Sequence, residues 1–106
     1  MSGEEHAVDV DDVVHQRNRL AVLSLLNEVR RAEFMYIRDA LGLSDGNLGR
    51  HVEVLRAKGL VGTDRQISPS GRPRMWVSIT REGRTAFRAE IEALRALVRR
   101  FDTTGS

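Results

Sequence analysis

A single mainly α-helical domain with a small β-hairpin, in the order helix, helix, helix, strand, strand, helix, is the α+β fold that this 106-residue sequence predicts. Three observations carry it. Apolar residues recur at helical spacing in four stretches, punctuated by serine, threonine and glycine where helices start and stop. Between the third and fourth stretches the period shortens to two on either side of a Ser-Pro-Ser-Gly-Arg-Pro run, the mark of a hairpin. The length allows one core and leaves little room for a buried active-site cleft beside it.

Residues 1–12 hold five acids (Glu4, Glu5, Asp9, Asp11, Asp12), no Lys or Arg and no periodic apolar pattern, so a flexible acidic arm is expected there. A first helix over 13–30 has its main stripe at Val22, Leu25, Leu26 and Val29, with Val13, Leu20 and Leu23 on another side. Two apolar sides imply two packing partners. A second helix over 34–41 ends at Gly42, which accepts the left-handed conformation common after helix ends. The third helix takes Ser44 as N-cap and runs to about residue 58 before Gly59, burying Leu48, Val52 and Leu55. His51 falls beside that stripe, where a hydrogen-bonded core histidine is expected.

Strand-like patterns over 60–66 and 75–79 flank a tip of about seven residues, 68–74. Trp76 alternates away from Val77 and Ile79, which places it on the outer side of the hairpin, packed there in preference to touching a ligand. Thr80 caps a last helix to about residue 101, with Glu82 near the positive end of its dipole. In that helix Phe87, Ile91, Leu94, Val98 and Phe101 recur at spacings of four, three, four and three, with Leu97 beside them. Such a seam needs a partner. The first helix within the chain is one candidate and a second copy the other; the expectation is a homodimer that also uses Leu20 and Leu23. The expected organisation is thus an arm (1–12), a central domain (13–80) and a dimerisation helix with a short tail (81–106).

Composition narrows the function. With 41% hydrophobic and 30% charged residues the chain reads as an ordinary globular protein. It has no apolar run near the roughly 20 residues that span a bilayer, and its start is acidic where a signal peptide would be basic, so no membrane association and a cytoplasmic location are expected. The absence of cysteine removes disulfides, thiolate metal sites and cysteine nucleophiles. The three histidines show no short ligand spacing, and no glycine-rich loop precedes a helix with a lysine. Ser44, Asp45 and His51 have the letters of a hydrolase triad, but a helix start and a core-facing histidine do not give its geometry. No enzyme, metal or cofactor is expected, and nothing in the sequence indicates a small-molecule effector.

Past the acidic segment, 17 basic residues face 10 acids, and sixteen of the seventeen are arginine, suited to bidentate contacts with phosphate or guanine. A short glycine-containing turn between two helices, followed by a hairpin, is the ground plan of a winged helix-turn-helix. The runs Arg19-Leu20-Ala21-Val22-Leu23, Leu41-Gly42-Leu43-Ser44-Asp45-Gly46-Asn47-Leu48-Gly49-Arg50-His51, Gly71-Arg72-Pro73-Arg74 and Ile79-Thr80-Arg81-Glu82-Gly83-Arg84, with Phe34 and Ile37, resemble the MarR-type winged-helix DNA-binding family over about residues 15 to 90. The resemblance implies a dimeric bacterial or archaeal transcriptional regulator. Its third helix would read the major groove of double-stranded DNA, and its wing would touch the backbone or minor groove. Gly49, where the family more often has serine, and Met35-Tyr36, where polar residues are usual, depart from the pattern.

The residues themselves point the same way. Opposite the core stripe the third helix carries Gly46, Arg50 and Glu53, flanked by Ser44, Asp45, Asn47 and Gly49. Arginine bridges guanine O6 and N7, asparagine pairs with adenine, and glycine permits close approach of backbone to DNA. Arg72, between Gly71 and Pro73 at the tip, suits a narrow minor groove, and Arg65 and Arg74 flank it as phosphate holders. The rival reading is a winged-helix adaptor that binds protein only, through the third helix or Met35-Tyr36.

Overall fold

Seven elements make up the computed structural model, which describes residues 10–105, with side chains over 15–102. They are α1 (Val10–Val29), β1 (Arg31–Glu33), α2 (Phe34–Leu41), α3 (Asp45–Ala57), β2 (Val61–Ile67), β3 (Pro73–Ile79) and α4 (Arg81–Gly105). The expected order is present with one addition, the three-residue β1. α2 has the expected bounds. α1 begins at Val10, so residues 10–12 are helical and not part of an arm; the rest of the expected arm, 1–9, lies outside the described residues. α4 likewise continues to Gly105 where a short tail was expected.

The strands form one antiparallel sheet in the order β1-β3-β2. Ala32 stands opposite Val77, and Thr63 opposite Val77 from the other side, while Val61 meets Ile79. Alternation puts Ala32, Val61, Val77 and Ile79 on one face, all buried, and Arg31, Glu33, Asp64, Arg74 and Trp76 on the other. β1 follows α1 through Arg30, a non-glycine residue with φ of 74°, whose amide donates to Leu26 O (2.7 Å) and whose carbonyl accepts from Ile79 N (3.0 Å). The left-handed residue turns the chain straight from helix into strand.

The buried sheet face packs on Val22, Leu23 and Leu26 of α1, Ile37 of α2, and Leu48, Val52 and Leu55 of α3. Two residues of α1 differ from expectation. Leu23, assigned to a dimer surface, lies in its own chain's core, whereas Val29 is exposed. The buried arc is therefore rotated toward Leu23, because β1 leaves α1 at Arg30 and carries Val29 out of reach of the core.

The root of α4 is fixed by backbone contacts. Thr80 Oγ1 accepts from Gly83 N (2.9 Å) and donates to Gly59 O (2.7 Å), and Thr80 N donates to Leu60 O (3.0 Å). Gly83 is buried directly over Leu60, and a Cβ there would run into the Leu60 carbonyl oxygen. Close approach, not turn geometry, demands glycine here. Phe87 packs against the core, but farther along Leu94, Leu97, Val98 and Phe101 are exposed. A 25-residue helix is about 37 Å long, and much of α4 projects from the rest of the domain, so that with this helix the structure extends 57 × 32 × 23 Å.

Candidate nucleic-acid interface

The turn between α2 and α3 is tied from both sides. Gly42 has φ of 67°, and the amides of Gly42 and Leu43 return to Asp39 O (3.3 Å) and Arg38 O (3.0 Å), closing the end of α2. Ser44 Oγ accepts from Asn47 N (3.1 Å) and caps α3 as expected. Arg38 then bridges the helices, with Nη1 donating to Asp45 Oδ1 (2.7 Å) and Nε to Asp39 Oδ1 (2.9 Å). These bonds to Asp45 and Asp39 hold its proton more firmly than in an ordinary arginine.

On α3, Ser44, Asp45, Gly46, Asn47, Arg50 and Glu53 are exposed and Gly49 is half-exposed. Their side chains are not equivalent. The Ser44 hydroxyl serves the cap, Asp45 is neutralised by Arg38, and Glu53 pairs with Arg56. Arg50 forms no ion pair among the described residues. It is thus the uncompensated charge of this face, with Asn47 beside it and open space over Gly46 and Gly49. Ser44, Asp45 and His51 share no hydrogen bond, so the triad letters are not assembled. His51 is buried as expected, with 1% exposure, but its Nδ1 has no hydrogen-bond partner, which corrects the expectation of a bonded core histidine.

The wing tip is a five-residue loop, shorter than the seven expected, because β2 and β3 extend to Ile67 and Pro73. Ser68 organises it. Its amide donates to Arg72 O (2.8 Å), its carbonyl accepts from Gly71 N (2.8 Å), and its hydroxyl accepts from Arg72 N (3.2 Å). With Gly71 at φ of 87°, the backbone of Arg72 is held on both sides while the residue stays exposed. Arg65, opposite Met75 on the face that continues the core, is exposed and unpaired among the described residues. Arg74 lies on the other face, where Nε stands 3.2 Å from Glu33 Oε2. The expected pair of flanking arginines is therefore split between two faces. On that outer face Arg31 lies over the Trp76 ring (4.3 Å to its centroid) and 3.9 Å from Asp64, so Trp76 has a packing role.

The expected dimer residues also divide. Leu20 and Leu23 line a cavity of about 430 Å³ with Leu55, Leu60, Ala86 and Leu94. Phe87 and Ile91 are half-buried at the domain, Leu94 is exposed at the rim of that cavity, and Leu97, Val98 and Phe101 are exposed beyond it. Sequence reasoning missed Arg38 and Glu33, which position α3 and the wing. Both contribute through partners on other elements, and only the charge pair Arg38 and Asp45 across a glycine turn was open to notice.

A family model described as a winged helix DNA-binding domain matches residues 18–98. An uncharacterized protein of Methanocaldococcus jannaschii is 37% identical over 70 residues, covering 66% of this chain and 75% of that protein. A transcriptional regulator homologue from Pyrococcus horikoshii OT3 is 36% identical with a TM-score of 0.74, over 79% of this chain and 82% of that one. A MarR-family transcriptional regulator from Silicibacter pomeroyi shares the fold (TM-score 0.60, 22% identity) over 79% of this chain and 56% of that chain. No helix among the described residues is long and apolar enough to cross a membrane.

Proposed function

Because the chain belongs to the winged helix DNA-binding domain family, we propose that it is a cytoplasmic, non-enzymatic, sequence-specific transcriptional regulator that binds double-stranded DNA as a homodimer. The observation that carries this is the state of α3: a helix pinned at its start by Ser44 and Arg38 that leaves one uncompensated arginine, Arg50, on its exposed face. Fixed geometry and free charge together are what base reading needs, since a bidentate arginine contact loses its discrimination if the helix rocks. In this reading Arg50 and Asn47 address base edges, Gly46 and Gly49 let the backbone come close, and Arg65 and Arg72 serve the phosphates and minor groove. Ser44, Asp45 and Glu53 shape the face electrostatically, and Arg74 is a second-row cation held by Glu33.

Dimerisation is supported by Leu94, Leu97 and Val98, 39%, 50% and 56% exposed on the projecting part of α4. A row of large apolar residues along one helix is costly to leave in water, and a second copy buries both rows about a two-fold axis. The competing adaptor reading has one observation in its favour, the exposure of Met35 and Tyr36 on α2 (52% and 55%). Binding of a duplex carrying the protein's own promoter, followed against salt, decides between them. Steep loss of affinity with salt supports DNA binding. A flat response overturns it in favour of the adaptor.

A further inference from the structure

His51 is the one buried polar residue among the described core positions, and the interface just described makes no use of it. It sits on α3 directly after Arg50 and points the other way, into the contact between α3 and α1. There the His15 ring of α1 meets it edge to face, with centroids 5.4 Å apart and planes at 71°. Two polar atoms are stranded in this contact. His51 Nδ1 and Arg19 Nε, the latter also from α1, are buried without hydrogen-bond partners. An unsatisfied neutral imidazole in a core is a modest cost, whereas an imidazolium in the same place is a severe one.

The surroundings sharpen that contrast. Burial acts first against the charged form of His51, followed by the positive groups around it: Arg19 and His15 from α1 and Arg50 from its own helix. No carboxylate among the described residues acts on it. A proton arriving at His51 therefore adds a cation beside Arg19 and Arg50, in a place where, among the described residues, its second N–H has no acceptor.

We infer that His51, packed edge to face on His15, is a proton-operated latch between α1 and α3, which holds the DNA-reading helix in place while the His51 imidazole is neutral and releases it under mildly acidic conditions. The direction follows from linkage. In the folded chain His51 binds its proton less tightly than at the ordinary value of 6.5, so below pH 6.5 the unfolded or loosened chain holds more protons than the packed one. Stability due to the neutral contact is complete above that pH, begins to fall as pH drops through it, and continues to fall down to the lower folded value. The consequence for DNA rests on the function proposed above; the latch itself does not.

Chemical denaturation of the full chain and of His51→Leu, between about pH 5.5 and about pH 8, tests it in a window where carboxylates titrate little. The expected result is a folding equilibrium constant that falls by up to about tenfold per pH unit below 6.5 in the unmodified protein and stays level in H51L. An equal acid slope in both overturns the latch. Should H51L fail to fold, the imidazole NMR titration of the unmodified protein decides: His51 staying neutral below 6.5 while the chain is folded supports it, and His51 titrating at or above 6.5 overturns it. Binding of a fluorescent duplex selected by the protein at about pH 8, measured at constant ionic strength, is expected to weaken below 6.5 in the unmodified protein only. If no duplex binds at any pH while stability behaves as expected, the latch stands and the DNA reading is the one that fails.

Discussion

Glu33, the residue that leads into α2, holds Arg74 of the wing at 3.2 Å across the outer face of the sheet. Glu33 stands opposite Trp76 in the β1–β3 register, so Arg74, two residues before Trp76, reaches it on the diagonal. The pair joins the wing strand to the helix-turn-helix, and it decides how many of the wing arginines are free to meet an anion. Glu33→Gln should release Arg74. The expected outcome is tighter non-specific DNA binding with a salt slope steeper by about one, with stability changed by no more than about 1 kcal/mol since both side chains are partly exposed. Anisotropy against a mixed-sequence duplex over a salt series measures it.

Arg50 and Arg72 should fail differently when removed. Arg50→Ala is expected to cost about 1 to 3 kcal/mol per base contact and to relax preference at one position of each half-site. Arg72→Ala should instead weaken binding chiefly at A·T-rich flanks. Selection from a randomised duplex library reads both; uniform loss on all sequences for Arg50→Ala would show that α3 positions the protein without reading bases.

Two glycines in helices carry opposite expectations. Gly83→Ala places a methyl group against the Leu60 carbonyl, a backbone atom that cannot step aside, and should destabilise by about 1 to 3 kcal/mol or more. At Gly49 the same change meets nothing and should add up to about 1 kcal/mol of helix stability while lowering DNA affinity. Thermal unfolding beside binding measurements separates the two; unimpaired binding by Gly49→Ala removes the need for close backbone approach there.

The association of two copies is expected to depend on α4. Leu94→Asp with Val98→Asp should give a folded monomer, because both residues are exposed in the single chain and the core does not use them. Sedimentation at micromolar concentration, with circular dichroism to confirm the fold, is the check. An unmodified protein already monomeric at that concentration sinks the proposal.

Local signals in the sequence were enough to place most of the fold. Ser44 and Gly42 each act within one turn of where they stand, and α2 accordingly has the predicted bounds. The features that escaped are those made by partners far apart in the chain. β1 is three residues long, too short for any period, and exists because Ala32 finds Val77 some forty-five positions away. The Leu23 side of α1 is buried and Val29 is not, a choice made by where β1 departs and not by the helix pattern itself. At the interface, Arg50 and Arg72 were legible as exposed cations on a helix face and a loop tip. The neutralisation of Asp45 by Arg38 left only a faint signal, two opposite charges across a glycine turn, and the capture of Arg74 by Glu33 left none, since those two residues stand far apart in the chain.

The seating of α4 has a geometric consequence. With Gly83 resting on Leu60 and Thr80 bonded to Gly59, the helix leaves the wing without a joint. A second molecule gripped at its far end would be held by two stiff rods meeting back to back, and the distance between the paired reading heads would be a fixed length. Such a gauge accepts binding sites separated by about one duplex turn, or a whole number of turns. It rejects those shifted by half a turn, however well each half matches.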